Sequence, residues 1–287
     1  MRKIAIITTL LFTILVNNLF SLSWDEESLI NKPDSLFKFN AKVEGGVTKV
    51  LYHHYQNGDA GTDFDFVTMG GQEILFPFSR VEAGMVIADR HIFNALYQPL
   101  IVNTEVTFRD DVTVDQVTFA SGTPMDIQYG FSFWRFTYGF DFFKRKDLDV
   151  VAGVALQLRN ASIIFSEKNG TQSTTSQNLG LVPALYLAAE YRFPSGIGLG
   201  FEATGIYASS AFFNGADFQF EGSLLDTSLR VLFPLKNGID TYVNVRFLGG
   251  TSDGVSQYED RFWTQTIENY STNNLATLNF SIGLRIR

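Results

Sequence analysis

Apolar and polar residues alternate with period two along most of this chain, the pattern of strands that bury or expose one apolar face. Near its end Leu278, Phe280, Ile282, Leu284 and Ile286 alternate with Asn279, Ser281, Gly283, Arg285 and Arg287. The same alternation runs through 242–247, 225–233, 199–204, 185–193 and 152–159. Earlier, Phe37, Phe39, Ala41 and Val43 face away from Lys38, Asn40, Lys42 and Glu44, and Val81, Ala83, Met85 and Ile87 oppose Arg80, Glu82 and Gly84. Two segments break phase. Between Ile92 and Phe108 the slip falls near Pro99, which cannot donate to a ladder and so predicts a bulge. Between Met125 and Phe143 it falls near Phe133 and Trp134, after which Trp134, Phe136, Tyr138, Phe140 and Phe142 oppose Arg135, Thr137, Gly139 and Asp141.

The connections between these strands add a second pattern. Short turns are expected at Ala88–His91, Lys144–Asp149, Pro194–Gly198 and Lys236–Asp240. Longer polar stretches lie between them, at Asn57–Glu73, Arg109–Thr123, Glu167–Asn178, Ser209–Gln219 and Gly250–Asn273. Strict alternation of short and long is the asymmetry of a transmembrane barrel, with short periplasmic turns and long extracellular loops. Greek-key sandwiches have no cause to produce it. The expected fold is therefore all-β: a single antiparallel up-and-down transmembrane β-barrel of about ten strands, within a range of 8–12. Ten strands put both termini on the periplasmic side.

Composition sharpens this. With 28 Phe and 11 Tyr among 287 residues, aromatics reach 15%, which suits pleated strands and leaves much apolar surface to place. At the N-terminus Arg2 and Lys3 precede an apolar run from Ile4 to Val16, and Ser21 and Ser23 offer a small-x-small cleavage site. These residues read as a signal peptide over 1–23, cut after Ser23. A short periplasmic segment over 24–35 and an outer-membrane barrel over 36–287 then follow. No Cys follows the apolar run, so a lipid-anchored N-terminus, a disulfide and thiol chemistry are excluded. No later segment approaches 18 consecutive apolar residues, so no membrane-spanning helix is expected. A formal charge of −8 argues against nucleic acid as a partner.

From about Phe37 to Arg287 the chain resembles the bacterial outer-membrane β-barrel proteins. Its last strand, Leu278–Arg287, resembles the terminal signal that such proteins present to the barrel-assembly machinery, although the usual form ends in Phe and here Arg287 is last. The resemblance implies a bacterial outer-membrane location, outer-membrane lipid and the assembly machinery as partners, and a small solute or surface ligand of unknown identity.

Some such barrels are enzymes. The chain has three His: His53, His54 and His91. The phospholipase type needs a Ser two positions after its His, so that the imidazole reaches the hydroxyl across one pleat. Tyr55, Gln56 and Phe93 stand there instead. The omptin proteases, similar in strand number and size, rely on an Asp pair and a His–Asp pair at the rim. Asp63 and Asp65 are spaced to share a face, with His53 or His54 near the same rim, and a water between them could be activated. Against this, both Asp sit in a polar loop, and two adjacent His at a strand end suit an interfacial aromatic girdle. The acids Asp59, Asp63, Asp65, Asp110, Asp111 and Asp115 lack the regular spacing of a calcium loop and read as solvated charge. Arg90, Lys144, Arg145 and Lys146 read as turn charge. No residue is assigned a catalytic, cofactor-binding or metal role, and no cofactor is expected. The leading expectation is a non-enzymatic barrel, either a narrow channel or a structural, surface-contact protein. An omptin-like rim hydrolase and a secreted soluble β-barrel are the alternatives.

Facing inward on this reading are Glu44, Arg80, Glu82, Arg135, Asp141, Arg159, Glu190, Arg192, Glu202, Asp226, Arg230, Arg246 and Arg285. Both signs are represented, so Arg–carboxylate pairs should close the lumen.

Overall fold

The alternating strands close on one another as a ring. The structure, a computed structural model, describes residues 28, 30–32, 35–58, 60–143, 145–209, 220–255 and 270–287. In chain order the strands are β1 (Phe37–Asn57), β2 (Phe64–Asp65), β3 (Leu75–Ile87), β4 (His91–Gln98), β5 (Ile101–Thr107), β6 (Val112–Val114) and β7 (Val117–Phe119). They continue as β8 (Pro124–Asp141), β9 (Leu148–Glu167), β10 (Ser173–Arg192), β11 (Gly198–Ser209), β12 (Phe220–Pro234), β13 (Ile239–Val255) and β14 (Tyr270–Ile286). The wall is β1, β3, β4 continued by β5, and β8 to β14, each antiparallel to its neighbours. β14 pairs back onto β1 from Ala41↔Ile286 to Asn57↔Ser271, which removes both sheet edges. This is a closed ten-strand barrel, all-β, with β2 set beside the upper part of β1 and the β6–β7 hairpin outside the wall.

Outward positions carry the apolar belt. Phe39, Val43, Trp134, Phe136, Leu156, Leu187, Phe201, Leu229, Val245, Phe280 and Ile282 are all exposed. A band of this extent is far larger than the apolar patches of soluble monomers. Their neighbours Glu44, Arg135, Gln157, Glu202, Ser228, Asn244 and Ser281 are buried in the lumen.

Neither expected phase slip is present. β4 and β5 hold one register against β8 on both sides of Pro99, from His91↔Phe140 to Gln98↔Phe133 and from Ile101↔Gly130 to Thr107↔Pro124. Even-numbered residues stay inward throughout, with Leu96, Gln98, Leu100 and Val102 all buried. Pro99 breaks the strand without a bulge, and β5 pairs with β8 alone. β8 likewise keeps its odd residues inward from Met125 to Asp141. The interior chemistry is what changes. Above the level of Arg135 the lumen is apolar, so inward Phe133, Phe131, Tyr129, Ile127 and Met125 imitate a shift of phase. A genuine shift lies on β1 between Val50 and Tyr52. It turns His53, Tyr55 and Asn57 inward, all three being buried.

One loop expectation also fails. Glu167–Asn178 is not a long loop: β9 and β10 continue upward and leave only 168–172 as a turn, with Gly170 at φ 74°. Polar residues there lie on strands that rise past the apolar belt. The expected signal peptide and most of Ser209–Gln219 and Gly250–Asn273 lie outside the described residues.

Candidate functional site

At mid-height the lumen is crossed by charge. Asp226 on β12 receives Arg135 of β8 at 2.7 Å, Arg246 of β13 at 2.6 Å and Arg80 of β3 at 3.5 Å. Glu202 on β11 receives Arg80 at 3.0 Å and also Arg230 of β12. Lys42 binds Glu82 at 2.7 Å, Gln157 accepts both Arg135 Nε and Nη2, and Asn244, Ser281 and Tyr242 all donate to Glu44. Tyr242 reaches Glu44 by lying over Gly283 of the intervening strand β14: a Cβ there would stand 2.2 Å from the Tyr242 ring. Buried ions endure only where geometry and further hydrogen bonds offset desolvation, and here nearly every oxygen is occupied. A void of only about 10 Å³ lies among Glu44, Arg80, Glu82, Arg230 and Tyr242.

Toward the short-turn end a second layer joins Arg192 to Asp240 at 2.9 Å, and Arg285 to Glu190 and Asp240, each at 2.7 Å. Below the mid-height layer a cavity of about 550 Å³ runs past this second layer toward the short-turn end, lined in part by Asn40, Asn94, Tyr186, Arg230, Lys146 and Arg287.

The loop end is narrowed differently. Residues 60–74 fold back into the mouth, with β2 paired to β1 at His54↔Asp65 and Tyr55↔Phe64. Phe64 and Phe66 are fully buried and meet Phe165 with ring centroids at 5.0 and 5.7 Å. The β6–β7 hairpin turns at Asp115 and Gln116, both at positive φ as a type I′ turn requires. It adds Val112, Val114 and Phe119 to the cluster. Each such buried side chain contributes about 1.5–3 kcal/mol.

The rim residues separate. His53 is inside: its Nδ1 meets Gln72 Oε1 at 2.8 Å, and its ring stacks on Phe66 at 4.1 Å. His54 stacks on Tyr52 at 4.5 Å and lies 3.1 Å from Asp63 and 3.9 Å from Asp65. Asp65 is held by the turn that follows it, accepting from Val67 N at 2.8 Å and Thr68 Oγ1 at 2.6 Å. Partial burial alone would raise its pKa, but the bonds from Thr68 and Val67 leave it below the ordinary Asp value. Asp111 caps Ser121 N at 2.8 Å. His91 is at the opposite end, with Nδ1 3.0 Å from the Tyr138 hydroxyl. A His–Asp contact therefore exists, but the mouth beside it is filled by aromatic rings. Among the described residues no group of three or more His, Asp or Glu is arranged to hold a metal ion.

The interior set read from the sequence is inward as expected, but two of its members do not pair across the lumen and one hub lay outside it. Arg159 pairs with no carboxylate among the described residues. Asp141 caps a turn, accepting from Phe143 N and Val150 N. Asp240, assigned to a short turn, is a hub of the lower layer. Its place at the very start of β13, next to Tyr242 and Asn244 on one face, was the available signal.

No known protein family matches the chain, and no curated protein matches it by sequence. Among solved structures, the outer membrane protease OmpT of Escherichia coli superposes with a TM-score of 0.55 at 9% identity, over 93% of this chain and 99% of that one. A Pseudomonas aeruginosa FadL homologue gives 0.37 at 10% identity over 87% and 90%. Ail, the attachment invasion locus protein of Yersinia pestis, gives 0.35 at 7% over 87% and 99%. At such identities the likeness is one of architecture, and the chain has the fold of the bacterial outer-membrane β-barrel proteins.

Proposed function

We propose that this chain is an integral barrel of a bacterial outer membrane, sealed to through-flow, that acts at its lipid-facing wall and its extracellular end. One observation carries the reading: the Arg80–Glu202 bond and the three arginines on Asp226 bar the lumen at mid-height. The aromatic cluster narrows the lumen further on the loop side of that layer. The exposed apolar belt favours lipid over a secreted soluble barrel. On this reading the loop end is extracellular, and β14 is the strand offered to the assembly machinery. A rim hydrolase draws support from the His54–Asp63 contact. It would need a substrate cleft where Phe64 and Phe66 now pack, so it ranks second. Conductance of the purified protein in a planar bilayer tests the sealed reading. Little or no current is expected. Large, stable, weakly selective steps would overturn it.

A further inference from the structure

The ladder between β10 and β11 stops early. Among the described residues it runs from Arg192↔Gly198 to Leu185↔Gly205. Both strands continue: β10 stays paired with β9 up to Ser173↔Ser166, and β11 with β12 up to Ser209↔Glu221. Above Leu185 the two strands therefore part. Pro183, which has no N–H to give, stands two residues past the last pair, as proline does on an unpaired edge. Leu179 and Leu181 are exposed on the outer face beside the gap.

Behind the gap lies a cavity of about 420 Å³, walled mainly by apolar or small residues such as Phe131, Val182, Ile206, Ala208, Leu224 and Leu248. It is separated from the lower cavity by the charged layer. One cation enters it. The Arg159 side chain lies across Gly180, where an added Cβ would stand 2.6 Å from Nε. That buried Nε has no hydrogen-bond partner, and neither has the nearby Gln157 Nε2. Every other arginine in the lumen meets a carboxylate. The guanidinium faces the Phe131 ring at 6.0 Å, and a partly buried guanidinium without a counter-ion favours an anion beside it.

We propose that this cavity binds a long-chain carboxylate that enters sideways from the lipid through the gap between β10 and β11. Its head is held by Arg159 and its tail by the walls at Leu224 and Leu248. The charge selects an acid, the walls select a chain, and Leu179 and Leu181 at the opening face the phase in which such molecules dissolve. This rests on the barrel spanning a bilayer.

The test uses the full chain in phosphatidylcholine nanodiscs containing stearic acid with a diazirine near its tail, irradiated and mapped by peptide mass spectrometry. Adducts are expected at inward Leu224 and Leu248. The methyl ester in place of the acid, or Arg159→Met, should lower them about tenfold or more, the loss of one charge-assisted hydrogen bond. Arg159→Lys should retain most of the labelling. Arg159→Met keeps an unbranched stem over Gly180 and leaves no hydrogen-bond partner unpaired. Ala208→Trp, which fills the cavity, should lower labelling by acid and ester alike. Adducts confined to outward Leu187 and Leu229 would overturn this site and leave the membrane reading intact, as would equal labelling by ester and acid. No adducts anywhere would overturn both.

Discussion

Arg80 on β3 donates to Glu202 on β11 at 3.0 Å, and those two strands stand five positions apart in either direction round the ring of ten. The bond thus spans the full width of the barrel. At this level the lumen is filled by side chains rather than solvent. Long arginines from one wall reach short acids on the other, and the carboxylates serve as nodes. Asp226 joins β3, β8 and β13 to β12 through one side chain.

Removing that node should be costly. Asp226→Ala leaves Arg135 and Arg246 without their carboxylate in a buried layer, while Arg80 keeps Glu202. Breaking a buried pair on one side costs about 3–5 kcal/mol. The measurement is urea unfolding in lipid vesicles, compared with Asp226→Asn, which retains hydrogen bonding and should lose less. Equal stability of Asp226→Ala and the parent would mean the layer contributes nothing.

The mouth has its own test. Phe66 packs on His53, Phe64 and Phe165, and its truncation should cost about 3–5 kcal/mol. Because residues 60–74 hang on this cluster, Phe66→Ala should also speed proteolysis within that segment well before the wall unfolds. Simultaneous loss of wall and loop would show instead that mouth and barrel fold as one unit.

How far this was legible from the sequence depends on what each face touches. Where the interior is charged, as at Arg135, Thr137 and Asp141, alternation reads directly, and the closed ten-strand wall follows. Where it is apolar, as at Tyr129, Phe131 and Phe133, both faces of the strand are apolar and periodicity carries no phase. The apparent slips at Pro99 and Phe133 were that loss of contrast. The aromatic plug was hidden for a related reason: Phe64 and Phe66 sit in a segment rich in Gly and Asp, and only the tertiary fold brings them under Phe165. The true shift at Leu51 left no trace, because Leu51, Tyr52 and the two His read equally well in either phase.

The two faces of one strand should differ sharply. Leu229 and Ile282 are exposed on the apolar belt, and Arg at either should cost about 2–4 kcal/mol near the bilayer midplane. Their neighbours are not free positions. Ser281 donates to Glu44, and Ser228 accepts from Arg246 at 3.4 Å. Ser281→Asn overfills a packed layer and should cost about 1–3 kcal/mol. Refolding equilibria in vesicles measure all three. Tolerance of Arg at Leu229 with no effect of Asn at Ser281 would reverse the faces.

Asp65 supplies a pH dependence. Its carboxyl lies below its ordinary value through the bonds from Thr68 and Val67 that outweigh partial burial. A depressed folded pKa adds stability above the unfolded pKa, and that stability is lost as pH falls through the folded value. The turn at 65–70 should therefore stay protected from amide exchange down through the usual Asp range and open only at more acid pH. Asp65→Ala should remove that dependence and loosen the turn at every pH. Opening of the parent turn already near neutral pH would contradict the assignment.

Orientation remains to be read on whole cells, and two turns suit the purpose. Gly170 sits in the five-residue turn between β9 and β10, at positive φ, with open space where a side chain would be. Gly196 sits between β10 and β11 at the opposite end, also at positive φ. β10 links the two positions, so a tag at one and a tag at the other must lie on opposite sides of any bilayer the barrel crosses. If the loop end is extracellular, antibody should reach the Gly170 tag on intact cells and the Gly196 tag only after the outer membrane is opened. Gly254 is unsuitable, because it lies within β13, paired with Phe220 and Ser271, and an insertion there would break two ladders. The reverse labelling would invert the barrel while leaving its fold unchanged, and labelling of both tags on intact cells would exclude a membrane-spanning wall.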